Sequence, residues 1–163
     1  MAQTVHLRLE IDGNAIEGES TISSMDREGT IECSSYEGAV LTPRDDASGR
    51  VTGRRQHHPV KFVKRIDKST PLLLKALCQN EPVTKAEFHF FRPSPGGSGA
   101  EEHFYTVLLE NGYVSSVSQL SEDVIIAGED VPPMMEEVEL VFGDITWTYE
   151  IGGATHKDSW RGE

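Results

Sequence analysis

The chain has little of what small proteins use as staples or anchors. Its two cysteines, Cys33 and Cys78, lie far apart in different kinds of segment and in no CxxC spacing. That argues against a disulfide framework or a thiolate metal site, and leaves two small buried or half-buried thiols as the expectation. No apolar run approaches the roughly 18 residues of a membrane-spanning helix, so no membrane insertion is expected. The opening MAQTVHLRLEID has no basic start followed by an apolar block, so no secretory signal peptide is expected and the cytoplasm is the default site of synthesis. Internal repeats and low-complexity tracts are absent as well.

Positive charge is also scarce, with 15 Lys and Arg against 27 Asp and Glu for a formal net charge of −12. It is unevenly placed. From residue 43 to 68 eight basic residues face three acids, whereas from 101 to the end fourteen acids face only Lys157 and Arg161. Such a chain carries both halves of an electrostatic contact. The densest basic stretch, GRVTGRRQHHPV at 49–60, would suit a polyanion. The rest of the surface would repel one, and no aromatics interleave with the arginines to stack on bases, so nucleic acid is not expected as a partner.

With 163 residues the simplest organisation is one domain spanning 1–163, large enough to bury a core without staples. Period-two patterning dominates. In 4–12 the odd positions Val5, Leu7, Leu9 and Ile11 are apolar, Val60, Phe62 and Ile66 share one parity, and Ala86, Phe88 and Phe90 another. Residues 104–117 are apolar on both faces, as in a central or barrel strand. In 136–150 the apolar set changes from even (Val138, Leu140, Phe142) to odd (Ile145, Trp147, Tyr149), which predicts a bulge or bend at Gly143-Asp144. One helix is expected at about 70–79, capped by Ser69 or Thr70, opened by Pro71 and stopped by Asn80 and Pro82. The fold class is therefore mainly β, a small β-barrel or two curved sheets with one flanking helix. An extended loop is expected at 42–59, with further loops at 92–102 and 121–135.

No reaction chemistry emerges. Adjacent His57 and His58 point to opposite sides of an extended chain and rarely hold one ion, so no metal or cofactor site is expected. PGGSGA at 95–100 misses the GxSxG pattern and lacks its strand-to-helix setting. The scattered carboxylates single out no acid–base pair, so no catalytic residues and no enzyme are expected. The partner that fits a cationic loop on an anionic protein is another copy of the chain, through a heterologous contact that closes rings or builds stacks.

FVKRIDKSTPLLLKAL (62–77), IDG…IEGES (11–20), VLLENGYVSSV (107–117) and VELVFGDITWTYEIGGATHKDSW (138–160) together resemble the Hcp family, the hemolysin-coregulated tube proteins of bacterial type VI secretion systems. The resemblance implies a ring-forming β-barrel whose homohexamers stack into the inner tube of a contractile injector. It implies that the tube is expelled into target cells without a signal peptide and carries and protects effector proteins in its lumen. The spike protein and the contractile sheath are the further partners it implies. The alternative is a stand-alone small β-barrel that binds a ligand or acts as an enzyme apart from any secretion machine. Within the family reading, loop 42–59 reaches toward the neighbouring ring. Arg50, Arg54, Arg55, His57 and His58 are expected in that stacking contact, with Glu129, Asp130, Glu136 and Glu137 as the acidic counter-surface. Cys33, Ser34 and Ser35, small and polar for a core strand, are candidates for the lumen wall.

Overall fold

The computed structural model describes residues 3–125 and 130–160. The chain runs β1 (Thr4–Ile11), β2 (Asn14–Ile16), β3 (Ile31–Glu37), β4 (Val40–Leu41), β5 (Gln56–His57), β6 (Val60–Arg65), α1 (Thr70–Cys78), β7 (Pro82–Pro93), β8 (Glu101–Leu120), β9 (Met135–Val141), β10 (Asp144–Tyr149) and β11 (Ala154–Ser159). The main sheet is antiparallel in the order β11-β10-β8-β7-β1-β3-β6-β9, and β9 also pairs with β8. Strands β8, β7, β1, β3, β6 and β9 therefore close on themselves around the core, while β10 and β11 extend outward from β8.

Closure depends on β8 serving two neighbourhoods. Its first half lies between β7 and β10, and its second half pairs with β9. The strand turns at Asn111-Gly112, where Asn111 has φ 56° and a Cβ on Gly112 would lie 2.2 Å from the Val141 carbonyl oxygen. Only glycine admits that approach. Opposite it, Phe142-Gly143 breaks the partner segment into β9 and β10, and the Gly143 N–H donates to both Glu110 O (3.1 Å) and Asn111 O (3.0 Å). The parity change falls where the sequence predicts it. Val138, Leu140 and Phe142 are buried before the break and Ile145 after it, so the break keeps Ile145 inside, while further along β10 Trp147 is half-buried and Tyr149 is 38 % exposed.

The core gathers Leu7, Leu9, Phe62, Phe88, Val107 and Leu140 with their neighbours. In β6 the strand parity buries Lys64 rather than Ile66, which is 37 % exposed. Lys64 Nζ meets Glu136 Oε1 at 2.5 Å, Asp67 Oδ1 at 2.9 Å and Thr70 Oγ1 at 3.2 Å, and both Lys64 and Glu136 side chains are fully shielded. This network also sets the start of α1. Ser69 occupies the cap position without capping through its side chain. Asp67 Oδ1 accepts the Ser69 N–H (2.9 Å), Thr70 Oγ1 accepts the Asp67 N–H (3.1 Å), and the Thr70 hydroxyl donates to Glu136 Oε1 (2.9 Å). The helix lies against β8 and buries Leu73 and Ala76. Cys33 is buried in the core, and burial pushes its thiol pKa up, which keeps it inert. Cys78, at the helix end, is exposed rather than half-buried.

Candidate functional site

The basic stretch folds as a hairpin rather than an irregular loop. β4 and β5 pair through Val40–His57 and Leu41–Gln56, and an isolated bridge joins Arg44 to Val51 further out. At the tip, Asp45 Oδ1 accepts the N–H groups of Ala47 (3.0 Å) and Ser48 (2.7 Å) and the Ser48 hydroxyl (2.9 Å). These bonds, that from the Ser48 N–H first, hold the Asp45 carboxyl below its usual pKa. Gly49 supplies the left-handed residue, φ 70°, that lets the chain return. Side chains along both limbs are solvent-exposed, apart from half-buried Pro43 and buried His57.

The base of the hairpin is tied to the last strand. Arg55 forks onto Asp158, with Nε to Oδ2 and an Nη2 to Oδ1 both at 2.6 Å, and the His57 Nε2–H donates to the same Oδ2 at 2.7 Å. The His57 ring packs edge-on to Phe142, stacks near Trp147 with centroids 6.2 Å apart, and is covered by Trp160 at 5.7 Å. The Arg55 guanidinium above all, then His57, hold the Asp158 carboxyl down at about 2, so Asp158 is an anion at any pH the protein meets. His58 points the other way, into solvent, as strand geometry requires of neighbours.

The structure thus divides the residues expected in a stacking contact. Arg50 and Arg54 are exposed, and their side chains have no ion-pair partner among the described residues. Arg55 and His57 are committed within their own chain and build the anchor. Of the expected counter-surface, Glu129 lies outside the described residues, and Asp130 is exposed. Glu137 pairs with Lys61 at 3.5 Å, and Glu136 is no surface acid, being buried against Lys64. Of the lumen candidates, Cys33 faces the core, whereas Ser34 and Ser35 are both exposed because a register shift interrupts the β3–β6 pairing between Cys33 and Ser35.

Sequence reasoning missed Asp158, Trp147 and Trp160 as partners of the loop. The signal present was the ITWTY…DSW ending, but nothing in it points to a contact 103 residues away. Beside the anchor lies a cleft lined by Tyr36, Val40, His57, Tyr105, Phe142 and Trp147. At about 180 Å³ this cleft falls below the roughly 300–1,000 Å³ of small-molecule sites.

A family profile described as "Type VI secretion system effector, Hcp" matches residues 9–149. The chain is 38 % identical over 122 residues to the "Major exported protein" of Pseudomonas aeruginosa, covering 75 % of this chain and 70 % of that protein. Its fold matches a doubly tryptophan-substituted Hcp1 of E. coli EAEC 042 with TM-score 0.82 and 35 % identity, over 98 % of this chain and 99 % of the other. It also matches the secreted protein Hcp3 of Pseudomonas aeruginosa with TM-score 0.77 and 25 % identity, over 99 % and 100 %. A closed antiparallel fold with one helix, a projecting cationic hairpin, and these matches along nearly the whole chain lead to one conclusion: the chain belongs to the Hcp family of type VI secretion, whose members are secreted structural proteins of the tube and not enzymes.

Proposed function

We propose that the chain is a ring-forming subunit of the type VI inner tube, with hexameric rings stacked through the hairpin that β4 and β5 begin and end. The observation that carries the reading is the division of labour in that hairpin. Arg55 and His57 hold its base to β11, while the Arg50 and Arg54 side chains have no ion-pair partner among the described residues. A cationic arm with a fixed base, on a chain of net charge −12, is suited to reach an acidic face of the next copy. Of the four expected acceptors, Asp130 is exposed and Glu137 is available only by exchanging its Lys61 partner. Each exposed pair contributes about 0–1 kcal/mol, so stacking is weak per contact, multiplied around a ring, and reversible.

In this reading the tube is assembled in the bacterial cytoplasm and expelled, and the ring lumen carries and protects effector proteins. Ser34 and Ser35 are proposed for the lumen wall. The spike protein and the contractile sheath complete the partners. Size-exclusion chromatography with negative-stain microscopy tests the reading. Six-fold rings with a central hole are expected, and a stable monomer at high concentration would refute it.

A further inference from the structure

The buried histidines lie away from the hairpin. His6 sits on the outer face of β1, opposite Leu7 and Leu9, yet it is only 1 % exposed. The turn at 24–30 covers it: Met25, Arg27 and Thr30 enclose His6, His89 and Phe91 in a space too small to admit a water molecule. The hydrogen bonds fix the His6 tautomer. The Thr30 hydroxyl gives its proton to Arg27 O (2.6 Å), so it must accept from His6 Nδ1 (2.9 Å). Neutral His6 therefore turns a bare Nε2 lone pair inward, and that atom has no partner. Arg27 beside it is buried. Its Nη2 bonds Glu101 Oε2 and Ser24 Oγ, both at 2.6 Å, its guanidinium lies 4.5 Å over the Phe91 ring, and its Nη1 is unpartnered.

Burial above all, then the Arg27 guanidinium, disfavours a second cation here, and outweighs the opposing pull of the Glu32 carboxylate. His6 faces Glu32 of β3 and His89 of β7 across the strands, Arg27 from the turn, and Glu101 of β8, which Arg27 already occupies. His89 sits 3.0 Å from Glu87 Oε1 and stacks on His103 with centroids 4.5 Å apart. His103 Nε2–H donates to Thr106 Oγ1, whose own proton goes to Glu150 Oε1, both at 2.7 Å. A proton on His6 Nε2 would form an N–H with no acceptor, next to a guanidinium and without water. Side-chain ties to the turn are His6–Thr30, Arg8 to Asp26 O at 2.6 Å and the Arg27 contacts. Its C-terminal end is also joined to the preceding segment by backbone bonds from Gly18 N–H to Gly29 O (2.8 Å), Ser20 N–H to Thr30 O (3.1 Å) and Gly29 N–H to Ser20 O (2.9 Å). Two consecutive residues, Met25 and Asp26, are in the left-handed region at φ 56° and 57°, a conformation that persists only while those ties hold.

We propose that residues 24–30 are an acid-released latch: with His6 neutral the turn closes over β1 and β7, and protonation of His6 expels it and uncovers the His6–His89–Phe91 face. The device belongs to the single chain and stands whether or not rings form. Burial, more than the Arg27 charge, lowers the His6 pKa, so opening occurs below the ordinary histidine value rather than at neutral pH.

Hydrogen exchange by mass spectrometry on the full chain tests this at about pH 7.5 and about pH 5.5, either side of the ordinary histidine value, after correction for intrinsic rates. The amides of Gly18 and Ser20 donate to Gly29 O and Thr30 O of the covering segment, and those of Gly29 and Thr30 belong to it, donating to Ser20 O and Arg27 O. They are expected to exchange up to about tenfold faster on acidification, the effect of going one pH unit below the ordinary histidine value, while β7 and β8 stay protected. In His6→Gln, which can still donate to Thr30 but does not titrate, the acceleration disappears. Unchanged protection in the wild type, or the same acid response in His6→Gln, overturns the proposal. If His6→Gln fails to fold, the wild type alone decides by NMR: the His6 titration midpoint must coincide with the opening midpoint, and a mismatch overturns it.

Discussion

At the scale of single residues, the Lys64–Glu136 pair makes the sharpest demand on stability. Both side chains are shielded from solvent; Lys64 also donates to Asp67 and Thr70, and Glu136 also accepts from Thr70 and Gln119. Removing one partner leaves an uncompensated charge inside the fold, so Glu136→Ala is expected to cost about 3–5 kcal/mol in urea unfolding. A double Lys64→Met, Glu136→Leu variant should recover most of that loss, and a double variant no better than the single would count against the pair. The histidines predict a pH dependence with a definite sign. Burial lowers the pKa of His6 and of His103 from 6.5, so the unfolded chain takes up their protons first. Their contribution is whole above pH 6.5 and falls away as pH drops below it. Glu87, held at about 2 instead of 4.5 chiefly by His89, whose Nε2 lies 3.0 Å away, adds a second loss as pH falls from 4.5 toward 2. Melting temperature should therefore fall in two stages. His103→Gln should flatten the first stage and leave the second.

At the scale of elements, the hairpin and β11 act as one unit although they lie at opposite ends of the sequence. Asp158→Asn removes the charge that Arg55 and His57 share, so the hairpin base should loosen while the barrel persists. Trypsin cleavage after Arg50 and Arg54 is expected to become several-fold faster, with the melting temperature little changed. Equal cleavage rates in variant and wild type would show that the anchor does not order the hairpin. The elements themselves were legible to differing degrees. Period-two patterning exposes β1, β6, β7 and the parity break at Gly143, because side-chain alternation is a local property. The Asn111-Gly112 turn in β8 was not legible, since its need for glycine comes from Val141 of another strand. The burial of Lys64 is hard to read from sequence because its charge argues against it, although its parity with Val60 and Phe62 places it inside. The helix starts where the sequence predicts it, but no Ser or Thr side chain caps it; Asp67, Thr70 and Glu136 instead fix the turn that leads into it.

At the scale of the whole molecule, charge segregation is what the sequence displays most openly, and the structure assigns its parts. Some of the basic stretch anchors and some is free, a distinction that composition cannot make because it depends on Asp158 arriving from β11. If the free part stacks rings, raising ionic strength from about 0.1 M to about 1 M, which shrinks the Debye length from ~10 Å to ~3 Å, should shorten tubes and leave rings intact. The most direct measurement is charge reversal at the two free arginines. An Arg50→Glu, Arg54→Glu variant is purified beside the wild type, and ring diameter and tube length are measured by negative-stain microscopy. The account predicts rings of unchanged diameter that no longer stack. Tubes of wild-type length would contradict it.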